Sequence, residues 1–318
     1  MSKTAFIFPG QGSQLVGMGK DLAEANDHAA RVFNLANEIL GFDLSGICFE
    51  GPPERLAATD IQQPAILVTS AALWAALTED GKQDVPFDAA AGLSLGEYTA
   101  LFVAGSLQFS DAVRLVHNRG RFMQEAAEAI PGGMVSIMGL AADEVDELCR
   151  QAAEGDVLTP ANYNCPGQIV ISGTKSACAR AVELVDQSGN GRAVALNVAG
   201  AFHSDLMRPA AEKLKAELAQ TDFAPPRVPV IANVDVSNHE SADRIRDLLY
   251  RQVFSPVRWQ ASIEHLAQDG IERFVEVGPG RVLTGLMRKI DRKKTAVNVS
   301  TAESLEQFVT AESSRSIP

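Results

Sequence analysis

Two side chains in this sequence have the type, spacing and setting to make and break an acyl bond together: Ser94 and His203. Ser94 lies in Gly92-Leu93-Ser94-Leu95-Gly96, between a short apolar stretch from Asp88 to Gly92 and a helical pattern that begins near Leu95. A serine at a strand-to-helix turn sits in strained backbone, and flanking glycines let the chain fold tightly past it. Such a turn lifts the hydroxyl clear of the sheet. It also aims the first helical N–H groups at the oxygen that becomes negative when Ser94 attacks a carbonyl. The same five-residue pattern occurs in plain structural turns, and it is the strand-turn-helix setting that favours a nucleophile. A serine nucleophile needs a base. His203 follows in Gly200-Ala201-Phe202-His203-Ser204, after a strand pattern and at the opening of a helix. Serine before histidine is the chain order of α/β-hydrolase-like sheets. His28, His239 and His265 stand in polar helical or loop surroundings and read as solvated surface; His117, on the helical pattern that carries Arg119, reads as structural. No acid completes a triad. Asp143, Asp146 and Asp156 lie between the two residues in chain order, but on polar helical faces, so a backbone carbonyl could orient the imidazole instead.

The elements that must position these groups alternate between strand-length apolar runs and longer helical patterns, the signature of βα units. Ala5 to Phe8 is a strand stopped by Pro9 and Gly10, Asp27 to Leu40 a helix closed by Gly41, and Thr59-Asp60 the cap of a helix reaching Leu77. Ser110-Asp111 caps a long helix running to about Glu128. From about residue 132 to 198 the rhythm becomes βαββαβ, the ferredoxin-like order. The α/β rhythm then returns, with helices at Ser204 to Gln220, near Ala242 to Phe254 and at Val282 to Ile290, and strands at Pro229 to Ala232 and Arg273 to Val277. The expected fold class is α/β: an α/β-hydrolase-like core, residues 1–131 and 199–300, with an inserted ferredoxin-like subdomain, 132–198. The small, polar stretch 301–318 reads as a frayed tail.

Composition narrows the function classes. The chain's 318 residues make roughly two domains at ~150 residues each, or one large α/β domain with an insertion. A formal charge of −12 argues against a general nucleic-acid binder, which needs a basic face. Cys48, Cys149, Cys165 and Cys178 form no C-x-x-C pair, so neither a zinc site nor a disulfide framework is suggested. The opening apolar run of four is too short for a signal peptide, and no window approaches the ~18 apolar residues of a membrane span. A reduced, cytoplasmic protein is expected.

Further motifs accumulate beyond a generic hydrolase. Phe8-Pro9-Gly10-Gln11-Gly12-Ser13-Gln14, Gly92-Leu93-Ser94-Leu95-Gly96-Glu97-Tyr98, Asn118-Arg119-Gly120-Arg121-Phe122-Met123, Ala201-Phe202-His203-Ser204 and Glu276-Val277-Gly278-Pro279-Gly280 occur in this order. The set resembles the malonyl-CoA:acyl carrier protein transacylases, the acyltransferase family of fatty-acid and polyketide synthesis, from the first strand to about residue 300. The resemblance implies transfer of a malonyl group from malonyl-CoA to the phosphopantetheine thiol of acyl carrier protein, through a malonyl-Ser94 intermediate with His203 as base. It implies that the Gln11 and Leu95 amides form the oxyanion hole, that Arg119 grips the malonyl carboxylate, and that the main-chain carbonyl of Gln252 holds the histidine ring. Phe202 stands where related domains favour malonyl over methylmalonyl, which suits a bulky ring beside C2. The family most often has histidine at the position of Leu93, so support of the turn from that side chain is absent here. No metal or organic cofactor is called for, no nucleic-acid or membrane partner is expected, and a monomer is the expected state. A serine hydrolase or thioesterase would share the nucleophile and base, and a non-catalytic carrier-binding module is a third reading. The basic run Arg288-Lys289-Ile290-Asp291-Arg292-Lys293-Lys294 fits either CoA phosphates or an acidic carrier, or merely a helix C-terminus. Gly278-Pro279-Gly280 reads as a turn rather than a phosphate loop.

Overall fold

The alternating patterns resolve into two sheets. The computed structural model describes residues 2–79 and 85–315. Strands β1 (Lys3–Phe8), β2 (Ala89–Gly92), β7 (Val230–Ile231), β8 (Ile271–Val277) and β9 (Thr295–Val299) form a wholly parallel sheet in the order β7-β2-β1-β8-β9. Buried on both faces, its central strands are nearly continuous apolar runs, as parallel strands covered by helices must be. Strands β3 (Gly132–Met138), β4 (Leu158–Cys165), β5 (Gln168–Thr174) and β6 (Arg192–Ala195) form the second, antiparallel sheet in the order β4-β5-β3-β6. With the helices Ala142–Ala153 and Lys175–Ser188 in the crossovers, this is the ferredoxin-like arrangement.

Helices of the main core pack where the groups of interest sit. Thr59–Thr78 is apolar all round and buried along almost its whole length, the mark of a central helix. Its length and composition would suffice to cross a membrane, contrary to the reading that no window comes close, but 94% of the qualifying window is buried inside the protein. Gly120, on helix Phe109–Ala129, lets the two helices touch: a Cβ there would fall 2.4 Å from the Thr59 carbonyl oxygen. Two expected caps differ. Thr59 and Ser110 lie inside the first turns, with Ala58 and Gln108 at the cap positions and no side-chain cap bond.

The expectation of a frayed tail is corrected as far as the described residues reach. Ala302–Arg315 is a helix; Leu305 and Phe308 are buried, and the ring of Phe308 packs edge-on to Phe6 of β1. Residues 316–318 lie outside the described residues. Helices Lys20–Ala25, Leu44–Glu50 and Trp259–Gln268 and strand β9 add to the elements read from sequence.

Candidate active site

The strand β2 turns directly into helix Gly96–Val103, and Ser94 occupies the turn with φ of 53°, the left-handed region that costs a non-glycine residue strain. The glycines around it are required by space. A Cβ on Gly92 would lie 1.9 Å from the Gly96 carbonyl carbon, and one on Gly96 would lie 2.1 Å from the Phe8 carbonyl oxygen. The amides of Gly96, Glu97 and Tyr98 are taken by the carbonyls of Leu93, Ser94 and Leu95. Neither the Leu95 amide nor that of Gln11, in the loop after β1, has a hydrogen-bond partner among the described residues. Both are therefore free to donate to a developing oxyanion.

His203 also has positive φ, 60°, and its Nε2 lies 2.8 Å from Ser94 Oγ. Its Nδ1 lies 2.8 Å from the Gln252 carbonyl oxygen. A carbonyl only accepts, so Nδ1 carries the hydrogen and Nε2 is left to take the serine proton. Burial, and then the neighbouring Arg119 charge, lower the His203 pKa to about 4. The ring is thus neutral, and a base, throughout the physiological range. Asp146 and Asp156 engage Tyr163 and Arg180 within the small subdomain, and neither orients His203.

Arg119 is only 2% exposed, and burial depresses its pKa. Its guanidinium donates to Gln63 Oε1 at 2.6 Å, to Ser94 Oγ at 3.0 Å and to Gln252 Oε1 at 3.1 Å, and it lies 5.6 Å from the centre of the Tyr98 ring. Its Nε has no partner, and among the described residues no carboxylate is in ion-pair contact with it. A buried cation held only by neutral acceptors, 3.0 Å from a serine hydroxyl, has the charge and geometry to pair with an anionic group.

Beneath the turn lies a set of groups that the sequence reading missed. Asn233 Oδ1 accepts from the Ser94 amide at 2.6 Å, and its Nδ2 donates to the Gly92 carbonyl at 2.8 Å. Glu97 is fully buried and meets His239 Nε2 at 2.7 Å. His239 is only 3% exposed, which corrects its reading as solvated surface. The signal for Glu97 was present: it is the one charge in GEYTALFV, a helix otherwise nearly all apolar. Gln63 likewise stands inside an apolar helix.

Phe202 is buried in the main core. Leu93 packs in an apolar cluster with Ile7, Trp259 and Cys165, where a leucine needs no hydrogen bond. The basic run is engaged in part with its own surroundings: Lys289 donates to Gln168 Oε1, and Lys294 pairs with Glu272 at the start of β8, the opposite end of the parallel sheet from Ser94. In Glu276-Val277-Gly278-Pro279-Gly280, the Glu276 carboxylate accepts from the Leu283 and Thr284 amides. The start of helix Val282–Ile290 is therefore already capped by an anion, in keeping with a turn. No group of three or more potential metal ligands occurs among the described residues.

A serine hydroxyl on a strand-to-helix turn, a carbonyl-oriented histidine and a buried arginine, set on an α/β fold, are the parts that acyl transfer from a serine requires. The acyl transferase domain family matches residues 5–309. The malonyl CoA-acyl carrier protein transacylase of Bacillus subtilis is 46% identical over 307 residues, covering 96% of each chain. That of Escherichia coli K12 is 46% identical over 296 residues, 93% of this chain and 95% of the relative. Among solved structures, the Xanthomonas oryzae malonyl-CoA:acyl carrier protein transacylase superposes with a TM-score of 0.94 at 40% identity, covering 98% of both chains. A malonyl-transacylase bound to a type II polyketide acyl-carrier protein gives 0.93 at 42% identity, over 98% of this chain and 100% of that one. The chain belongs to the malonyl CoA-acyl carrier protein transacylase family.

Proposed function

We propose that this protein transfers the malonyl group of malonyl-CoA to the phosphopantetheine thiol of acyl carrier protein, supplying extender units for fatty-acid synthesis. The observation that carries this reading is Arg119, a buried guanidinium without a carboxylate partner, 3.0 Å from Ser94 Oγ. A general esterase has no use for such a group, whereas the free carboxylate of a malonyl thioester supplies the missing anion.

In the first half-reaction the Ser94 hydroxyl gives its proton to His203 Nε2 as Oγ attacks the thioester carbon. The carbonyl oxygen becomes negative against the Gln11 and Leu95 amides; losing one such donor typically costs ~10²–10³ in kcat. The C–S bond then breaks, His203 returns its proton to the departing CoA thiolate, and malonyl remains esterified to Ser94. In the second half-reaction the carrier's thiol gives its proton to His203 and attacks the ester. Collapse breaks the C–O bond and returns the proton to Ser94. The Gln252 carbonyl fixes the tautomer in both halves, standing where a triad would place an acid. Burial of Ser94 and His203 limits hydrolysis of the intermediate. Phe202, next in sequence to the base, narrows the space beside C2 and favours an unbranched malonyl group.

An intact-mass spectrum after brief incubation with malonyl-CoA tests the proposal. A malonyl adduct that is absent from Ser94→Ala, persists until carrier protein is added and forms far faster than the acetyl adduct from acetyl-CoA is the expected result. Steady release of CoA without an adduct would make water the acceptor and favour a thioesterase.

A further inference from the structure

Glu97 is buried at 0% exposure, three residues after the nucleophile, and it receives three hydrogen bonds from distant parts of the chain. Its Oε2 accepts from the Asn233 amide at 3.0 Å and from Gln252 Nε2 at 2.7 Å, while its Oε1 faces His239 Nε2 at 2.7 Å. Each partner leads back to a reacting group. Asn233 holds the amide of Ser94 and the carbonyl of Gly92 with its side chain, so it fixes the turn that presents the hydroxyl. Gln252 holds the imidazole of His203 with its carbonyl and the guanidinium of Arg119 with Oε1, and Nε2 also donates to the Ser94 carbonyl. Nucleophile, base and carboxylate-binding arginine are thus all tied, one residue removed, to a single carboxylate.

We infer that Glu97, seated by His239, is the positioning residue that sets the mutual geometry of Ser94, His203 and Arg119, and thereby couples the rate of acylation to the choice of malonyl over uncharged acyl groups. The inference rests on the malonyl-transfer reading above. Glu97 touches neither the serine hydroxyl nor the imidazole of His203, and it acts through Gln252 and Asn233. A carboxylate suits this task because it accepts along several directions at once and donates nothing. A buried carboxylate in that place would be costly if its only contribution were stability. Removing it takes away the shortest of the bonds that fix the Gln252 amide, leaving Nε2 on the Ser94 carbonyl alone at good distance, and Oε1 then restrains the guanidinium less firmly.

The test compares E97A, E97D and E97Q of the full chain with wild type. Single-turnover acylation by malonyl-CoA and by acetyl-CoA is followed by quenched intact mass, and rates are normalised to the folded fraction from thermal melting. Misplacement of a reacting group by ~1 Å can cost about 100-fold. E97A should therefore lose about 100-fold in malonyl acylation and, because Arg119 is loosened, about 10-fold in the malonyl-to-acetyl ratio. In E97Q the amide oxygen can accept both bonds now made to Oε2, and His239 can face the amide group as its other tautomer. The ratio should return and the rate should come within about 10-fold of wild type. E97D keeps the charge but withdraws it by one methylene; it should show the double loss, and it decides the matter if E97A does not fold. Wild-type rates in E97A or E97D, a rate loss with an unchanged ratio, or an E97Q no better than E97A would each overturn the inference. A wild-type protein that forms no malonyl-serine breaks the transfer reading itself, before any variant is compared.

Discussion

The turn around Ser94 and the small antiparallel sheet are built on opposite terms. The inner face of the small sheet is Val135, Ile137, Ile169 and Ile171, packed on Val145, Leu148, Ala181 and Val185 of its two helices. Burial of apolar surface, at ~25 cal/mol per Å², accounts for that cluster without help from polar contacts. The turn buries Ser94, Glu97, Arg119, His203, Asn233, His239 and Gln252 within one connected set of hydrogen bonds. Each such group costs stability unless it is paired, and a paired set rarely outperforms an apolar core of equal volume. One region is therefore specified by volume and pattern, the other by chemistry. Substitutions in the first should change folding, and those in the second should change rates.

Removing Arg119 is the largest test of that division. Arg119→Ala should lower kcat/KM for malonyl-CoA by about 10⁴, the lower end of the scale on which sites built around a buried polar partner discriminate. Acetyl transfer should fall far less, since acetyl never used the guanidinium. Steady-state kinetics on both thioesters measure the ratio, and an equal loss on both would mean that Arg119 serves the fold rather than the substrate.

His203 gives a second test. Its pKa lies near 4, so the acid limb of kcat/KM should be half-maximal near that pH and not near 6.5. A malonyl carboxylate on Arg119 partly cancels the charge that helps depress the ring, so the acid limb of kcat should lie at higher pH than that of kcat/KM. The sign for stability follows from the same shift. Between pH 6.5 and about 4 the unfolded chain takes a proton that folded His203 refuses, so stability falls as pH falls through that window. Chemical denaturation across this range, with a His203→Gln control, isolates the contribution.

Much of this division could be read from the residues themselves. The pairing of Ser94 with His203 and the order of elements were legible because a strand-turn-helix glycine pattern and βα periodicity are local signals. Asn233 and His239 were not, and Glu97 showed only as a lone charge in an apolar helix, because their meaning lies in pairs separated by 136 to 142 positions: Ser94 with Asn233, and Glu97 with Asn233 and His239. In sequence His239 has polar neighbours; in the fold it is seated beneath the turn. The helix Ala302–Arg315 was missed for another reason. Its polar composition suggested a tail, yet Leu305, Phe308 and Val309 keep the three-and-four spacing of a helix with one buried stripe.

On the apolar side of the comparison, Ile171→Ala should destabilise the protein by about 2–5 kcal/mol, the usual range for emptying a buried isoleucine site. Ile171 is fully buried in the small sheet and touches none of the reacting groups, so kcat per folded molecule should stay at the wild-type value. Urea titration read beside acylation rates separates the two. A large fall in kcat at full folding would show that the sheets are coupled more tightly than their separate cores imply.

The smallest effect is expected at Leu93, where the sequence resemblance leads to the expectation of a histidine. Leu93 stands beside the nucleophile in sequence, but its side chain belongs to the apolar cluster behind the sheet. Its amide is already bonded to the Phe8 carbonyl at 3.1 Å and its carbonyl to the Gly96 amide at 3.0 Å. The backbone of the turn is thus held whatever the side chain is, and Asn233 secures the next amide along. Leu93→His should leave the acylation rate within about threefold. It should cost roughly 1–3 kcal/mol of stability, because the imidazole enters an apolar cluster that offers it no evident partner. A variant acylated tenfold faster would show that the turn lacks a support histidine could restore. In that case polar groups around Ser94, and not packing, would set its geometry on this side as well.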